Sequence, residues 1–404
     1  MFSLGAKEKI MKVLLIGGTG VLSTAVTAEA IRKGITITMI NRGTRKIPDG
    51  VEAIISNNKN YSYIKEILKD RQFDAVIDFL CYRPDELRDS FALYSRHTKQ
   101  YFFISSCAVY DTTRGGIYAE DAPKVRKEWP YSVDKWDCEC LLKEMAEKSN
   151  CRYTVIRPCL TYGDTRLPYG IAPEFRKHWT LVARILAGKP IIRWNEGRNR
   201  WNMMRVEDLA VGLVGLIGNQ QAYDEAFNIC GDEMPSYAEV LTIIGDVVGK
   251  KPIVVDLPTE YYASQMNPYL AGEIIGGRAA DLTCSNAKIK KVVPEFKQRD
   301  NLREGIVKTI EAYKRERYQL GIDWIFDAKT DRIISKWSRV NRLQRKFNIS
   351  FVDYLCGKSW GERLLYYKER YRDSWSFRCA LFGFRAKNRL RRILSGFVGK
   401  IHAI

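Results

Sequence analysis

The chain has 404 residues, 46% of them hydrophobic, and a formal net charge of +19. That composition supports a large core in two lobes, and the lack of any apolar run of about eighteen residues excludes a membrane-spanning helix. Three histidines (His97, His178, His402) and ten scattered cysteines, with no second pair at zinc-ligand spacing, argue against a metal centre.

Residues 1–10 lack the long apolar stretch of a secretory signal, so the cysteines are read as reduced cytoplasmic thiols. Met11 opens MKVLLIGGTG, so residues 1–10 are read as a short extension or an upstream start. In Lys12–Ser23 a buried strand, Val13–Ile16, breaks into Gly17-Gly18-Thr19-Gly20, and Val21–Ile31 reads as a helix. Strand, glycine turn and helix together present backbone N–H groups and a helix dipole to an anion. Gly17, Gly18, Thr19, Gly20, Val21 and Leu22 are therefore expected around a dinucleotide pyrophosphate, with Ser23 small enough for close helix–strand packing.

Ile35–Ile40 is a second strand, ending in Asn41-Arg42-Gly43. An acidic residue at this end would bind a ribose 2′-OH; Asn41 stands there instead, and Arg42 can meet a 2′-phosphate. The cofactor is thus NAD(P), leaning to NADP, unless Arg42 only stacks on the adenine or faces water. Val51–Ile55 is a third strand, with Ser56-Asn57 beside the adenine position, and Tyr63–Lys69 a short helix. Ala75–Phe79 is a fourth strand, which puts Phe79 and Leu80 at the cleft; Asp85–Tyr94 is a helix and Gln100–Ser105 a fifth strand. Alternation at this spacing implies a parallel, doubly wound sheet whose ligands lie beyond the strand carboxyl ends.

Tyr131–Ser149 reads as a helix on which Tyr131 and Lys135 share a face. A phenol's free pKa near ~10 is too high for a neutral-pH base, and a nearby ammonium favours the phenolate. Tyr131 can then exchange a proton with a substrate hydroxyl, Lys135 can supply the charge and bond the nicotinamide ribose, and Ser106 can hold the same substrate oxygen. Tyr153–Arg157 is a sixth strand. Beyond it Phe175–Ala187, Val206–Ile217, Tyr237–Val248, a short helix capped by Ser285 and Arg303–Gln319 are helical, while Ile191–Trp194, Ala226–Ile229 and Ile253–Leu257 are extended.

Over roughly residues 11–320 the chain resembles the extended short-chain dehydrogenase/reductase family of nucleotide-sugar epimerases and dehydratases. The matching pieces are Gly17-Gly18-Thr19-Gly20, Ile104-Ser105-Ser106 with Val109-Tyr110, Tyr131 to Lys135, Arg157-Pro158 with Tyr162-Gly163, and Val206-Glu207-Asp208-Leu209-Ala210. The resemblance implies an α/β fold: a Rossmann domain (residues 1–165, with returning segments near 200–232), a smaller α/β substrate lobe (166–325), and a basic, mainly helical extension (326–404). It implies an NAD(P)-dependent epimerase or reductase acting on a nucleotide sugar, with Ser106, Tyr131 and Lys135 as the catalytic set, and a homodimer is expected. Cys107 and Ala108 stand where dehydratases carry an Asp-Glu pair and decarboxylases a Glu, so those reactions are disfavoured. Cys107 is read as a buried thiol rather than an acid. Trp201-Asn202 replaces the diphosphate-gripping Arg-Asp pair, which leaves Arg200 and Arg278 as candidates for the substrate phosphate. The run from Asn41 through Tyr110 also resembles a divergent branch that includes the chloroplast stem-loop-binding proteins, which bind RNA. In those proteins the Tyr-x-x-x-Lys is degraded; here it is kept.

Residues 331–404 hold 18 Lys/Arg against 5 Asp/Glu and are rich in aromatics, too much so for a disordered tail. Phe382–Val398 can form a helix with basic and apolar faces. Three readings are open: packing on the body or a second subunit, peripheral contact with an anionic membrane surface beside a glycan-assembly partner, or nucleic-acid binding.

Overall fold

Val13 and Leu15 face one side of the first strand, Leu14 and Ile16 the other, and all four are buried. A strand covered on both faces belongs inside a parallel sheet with helices above and below. The computed structural model describes residues 10–379 apart from 125–128, 175, 318–320, 344–345, 355–359, 376 and 378.

The first half runs β1 (Lys12–Ile16), α1 (Val21–Arg32), β2 (Thr36–Asn41), β3 (Glu52–Ile55), α2 (Tyr61–Leu68), β4 (Ala75–Asp78), α3 (Pro84–Tyr94), β5 (Gln100–Ile104), β6 (Ile117–Tyr118), α4 (Pro130–Glu147), β7 (Arg152–Pro158) and β8 (Leu160–Tyr162). The second half runs α5 (Trp179–Leu186), β9 (Ile191–Trp194), β10 (Met203–Arg205), α6 (Val206–Gly215), β11 (Glu225–Ile229), α7 (Tyr237–Val247), β12 (Val254–Leu257), α8 (Thr259–Ser264), α9 (Pro268–Glu273), β13 (Thr283–Cys284), α10 (Ala287–Val292), α11 (Leu302–Arg315), α12 (Trp324–Val340) and α13 (Trp360–Arg370).

Seven strands form one parallel sheet in the order β11-β7-β5-β4-β1-β2-β3. The order reverses between β1 and β4, and that switch point opens a crevice at the carboxyl ends. Helices α1 and α6 cover one face, α3 and α4 the other. The expected doubly wound sheet is present, and α6 and β11 return to it from residues 206–229.

Three two-stranded parallel pairs, β8 with β10, β9 with β12 and β6 with β13, frame the second lobe. Its core is aromatic: Tyr169, Trp194, Tyr237 and Tyr262 are buried against one another, with Trp194 and Tyr237 centroids 5.1 Å apart. The helix expected from Phe175 begins only at Trp179, because Arg176 holds φ at +67°. Helix α12 starts at Trp324, just before the expected boundary at 325/326, and sends Ile333 and Ile334 into the second lobe's core. Packing on the body is therefore what this part of the extension does. The expected helix Phe382–Val398 lies outside the described residues.

Candidate active-site cleft

The glycine turn after β1 takes the shape a phosphate cradle needs. Gly17 and Gly18 have φ of +96° and +118°, and a Cβ on Gly18 would lie 2.4 Å from Met39 Cε. Gly20 caps α1, its N–H donating to Ser23 Oγ at 2.8 Å. The first-turn amides of α1 have no intrahelical acceptor and face a cleft of about 500 Å³. A pyrophosphate fits this turn: it would take those amides as donors, and the positive-φ glycines, packed on Met39 and Leu80, hold the turn that presents them.

The same cleft is lined by Gly17 through Ser23, Asn41, Arg42, Phe79, Leu80, Ser106, Tyr131 and Lys135, all expected there except Ser23, which was expected to pack between helix and strand. Asn41 is held as a turn former: its Oδ1 accepts the Gly43 N–H at 2.8 Å and its Nδ2 donates to Met39 Sδ at 3.1 Å. Arg42 is exposed at the rim, with Arg45 beside it bonding the Thr19 carbonyl. Asn57 is not in the lining. Its carboxamide accepts the Lys59 N–H in a local turn, and the next residue, Asn58, takes the expected place.

Lys135 sits one turn beyond Tyr131 on α4 and is buried. Its Nζ donates to the carbonyls of Cys81 at 2.6 Å and Ile104 at 2.8 Å and lies over the rings of Tyr82 and Phe103. Burial pushes its pKa down to about 8. The Tyr131 phenol is pushed up by burial, opposed by a hydrogen bond with the Ser106 side chain. Ser106 lies just past β5 and also accepts the Ala108 N–H at 3.1 Å. Ser106, Tyr131 and Lys135 thus converge on one wall of the cleft.

Two buried networks hold that wall. Arg157 grips Glu139 of α4 with bonds of 3.0 and 2.6 Å and reaches Tyr110 at 2.8 Å, while Ser105 donates to the same carboxylate at 2.5 Å. This pair locks α4 to β5 and β7. Asp78, at the end of β4, accepts the Leu80 N–H at 2.8 Å, Tyr101 at 3.0 Å and Cys81 Sγ at 3.1 Å, and so shapes the loop whose Cys81 carbonyl anchors Lys135. The sequence marked Arg157 only as a motif residue. Asp78 bore no signal, since its partners come from β5, from Ser90 of α3 and from the loop after it.

The two arginines expected at the substrate phosphate, Arg200 and Arg278, do not line this cleft. Arg200 is exposed on a separate surface, bonded to the Met234 carbonyl at 2.9 Å and paired with Glu239. Arg278 is buried, bonded to Glu273 at 2.8 and 3.0 Å and to Tyr237 at 3.2 Å, with its guanidinium 4.4 Å from the Trp201 ring centroid. Stacked on Trp201 and bonded to Glu273 and Tyr237, Arg278 is an internal tie. Cys107 is wholly buried off the cleft, its Sγ 3.2 Å from the Arg157 carbonyl, and burial pushes its thiol up. Sequence reading passed over Tyr82, Cys159, Thr161 and Arg166, all of which line the cleft. Among the described residues no cluster suited to a metal is present.

Residues 86–230 match the family described as NAD dependent epimerase/dehydratase. The chloroplast stem-loop binding protein of 41 kDa b of Arabidopsis thaliana is 27% identical over 246 residues, 56% of this chain, and the match spans 60% of the plant protein's length. The 2′-dehydrokanamycin reductase of Streptomyces kanamyceticus is 20% identical over 263 residues, covering 64% of this chain and 73% of that protein. Among solved structures, a UDP-glucose 4-epimerase from Thermotoga maritima with UDP-glucose superposes with a TM-score of 0.62 at 16% identity, covering 76% of this chain and all of that one. An epimerase from Methanothermobacter thermautotrophicus superposes with a TM-score of 0.64 at 15% identity, over 76% and 94% of the two chains. The sheet order and the superpositions give the chain the fold of these epimerases, and residues 86–230 within it are similar to the NAD dependent epimerase/dehydratase family.

Proposed function

We propose that the protein is an NAD(P)-dependent epimerase or reductase that acts on a hydroxyl or carbonyl of a nucleotide sugar. The observation that carries this reading is the shared cleft: the glycine turn and the Ser106–Tyr131–Lys135 set line one cavity. When bound, the nicotinamide supplies or accepts hydride. Tyr131 moves the proton at its phenol oxygen. Ser106 holds that oxygen in place and would hold the substrate oxygen beside it. The Lys135 ammonium, fixed on two carbonyls with its Nζ 5.9 Å from the Tyr131 ring centroid, would favour the phenolate by charge, against the rise that burial imposes. Arg42 and Arg45 at the rim support a 2′-phosphate, hence NADP.

Tyr131→Phe is the test. We expect turnover to fall at least ~100-fold, with NADPH still bound by fluorescence titration. Turnover retained in that variant would sink the assignment. Net loss of NADPH absorbance in a screen of sugar nucleotides would mark a reductase; conversion without it would mark an epimerase.

A second reading, RNA binding on this fold, is favoured by one observation: a similar plant protein carries a stem-loop-binding name.

A further inference from the structure

A second cavity, about 520 Å³, adjoins the cofactor cleft and shares Gly20, Val21, Arg45 and Arg166 with it. One side comes from the second lobe, including Ile171, Ala172 and Met266. The other comes from α12, through Phe326, Lys329, Thr330 and Ile333. The extension thus forms a wall of the space next to the catalytic phenol.

The polar groups there are few, and their states differ. His178 is buried, its Nδ1 accepts the Leu167 N–H at 3.1 Å, and burial with the Arg166 charge pushes its pKa down to about 3, so it is neutral. Glu273 is engaged by Arg278. Thr330 donates to the Phe326 carbonyl at 2.8 Å, and Arg45 bonds the Thr19 carbonyl. Arg166 and Lys329 are different. Both side chains are half-buried, and neither makes a hydrogen bond or ion pair among the described residues. Arg166 stands where the two cavities meet, and burial and the Arg278 charge both work against its proton. Lys329 stands on α12, its proton opposed chiefly by burial, favoured by Glu369 and Asp323 and opposed by Arg332 and Arg372. Glu273 favours the charge on Arg166 without bonding it and is itself held by Arg278; half-buried cations that no carboxylate bonds directly favour an anion beside them.

We infer that Arg166 binds the phosphate or other anionic group of the substrate, in place of Arg200 and Arg278, and that the body beyond that group lies on the apolar wall supplied by α12, with Lys329 facing it. This rests on the proposed reading of the cleft and deepens it. The shared ligand chemistry is a phosphorylated compound with a flat or apolar body distal to the phosphate. A nucleoside diphosphate sugar and a phosphate carried on an isoprenoid both answer to it.

The test measures calorimetric binding of UDP-glucose and of farnesyl phosphate to the full chain with NADPH present. At least one probe should bind, and that binding should weaken tenfold or more in Arg166→Gln and several-fold in Lys329→Glu. Ala172→Trp, which fills the cavity, should abolish it, and NADPH affinity should stay unchanged in Lys329→Glu and Ala172→Trp. UDP-glucose binding alone would identify the nucleotide source, and farnesyl phosphate binding alone the isoprenoid source. Unchanged probe affinity in both Arg166→Gln and Lys329→Glu would overturn the inference, as would failure of both probes on a parent chain that binds NADPH. Failure of NADPH itself would instead overturn the reading of the cleft, and the same probe titrations without cofactor would still decide the cavity.

Discussion

Lys189 Nζ lies 2.8 Å from Asp327 Oδ2, and both side chains are wholly sealed from solvent. Arg184 joins them, bonding Asp327 and reaching Asp331 at 2.9 Å, while Tyr354 donates to Asp327 at 2.8 Å and Tyr366 to Asp331 at 2.5 Å. Two cations and two anions balance, and two phenols satisfy remaining lone pairs. The network fastens α12 to the segment from α5 to β9, then α13 to α12. Removing one member leaves an uncompensated buried charge, which costs about 3–5 kcal/mol. Asp327→Ala should therefore lower the urea midpoint sharply. Tyr366→Phe, which deletes one hydrogen bond to a charged acceptor, should cost about 1.5–3 kcal/mol. Equal midpoints for parent and Asp327→Ala would show that the network does not hold the extension.

Lys135 gives opposite pH trends for stability and activity. Its folded pKa is depressed to about 8 by burial. The folded state then binds fewer protons than the unfolded state between about 8 and the ordinary lysine value near ~10.4, so stability contributed by this group rises with pH across that window. The same deprotonation removes the charge that favours the Tyr131 phenolate, so kcat/KM should fall as pH rises through about 8. Lys135→Met should abolish the stability rise and cut turnover at all pH values. A kcat/KM flat from pH 7 to 10 would contradict a role for the ammonium.

The sequence shows the sheet clearly because its strands are buried on both faces, and runs such as Lys12–Ile16 and Gln100–Ile104 are nearly continuous in apolar character. Helix α12 is less legible. Asp327, Asp331 and Arg332 interrupt its apolar stripe, and the partners that make the first two buried, Arg184 and Lys189, lie far earlier in the chain. The site divides the same way. Tyr131 and Lys135 are neighbours on one helix, so spacing alone joins them. Which arginine faces the substrate depends on tertiary neighbours: Trp201 and Glu273 take Arg278 inside, and nothing local marks Arg166 as exempt. Asn57 and Asn58 differ only in which one closes the turn after β3.

Arg42 tests the choice of cofactor. It is exposed at the cleft rim just past β2, while Asn41 is engaged by Gly43 and Met39. Arg42→Asp places a carboxylate where a 2′-OH can donate and a 2′-phosphate is repelled. The ratio of kcat/KM for NADPH over NADH should drop at least ~10-fold, a change of about 1.4 kcal/mol. An unchanged ratio would mean that Arg42 faces water and that the preference is set elsewhere.

The basic tail separates enzyme from RNA binder, provided the cut is made in the right place. Deleting everything from residue 331 would remove Asp331 and Arg332 from the middle of α12 and strip Tyr354 and Tyr366 from the buried charge network. Loss of any function in that deletion would report unfolding. Residues 380–404 carry six Lys/Arg and no Asp/Glu, so truncation after Cys379 removes charge and keeps every residue named in the network. On the enzyme reading, the truncated chain should keep its urea midpoint and its NADPH-linked turnover. Its affinity for a single-stranded RNA should fall, and the slope of log K against log salt should become shallower by up to about 4, at about 0.7 for each phosphate the tail no longer neutralises. Measuring both slopes between low and physiological salt settles the matter. If RNA binding persists at physiological salt after truncation while turnover is absent from every sugar nucleotide tried, the RNA reading prevails.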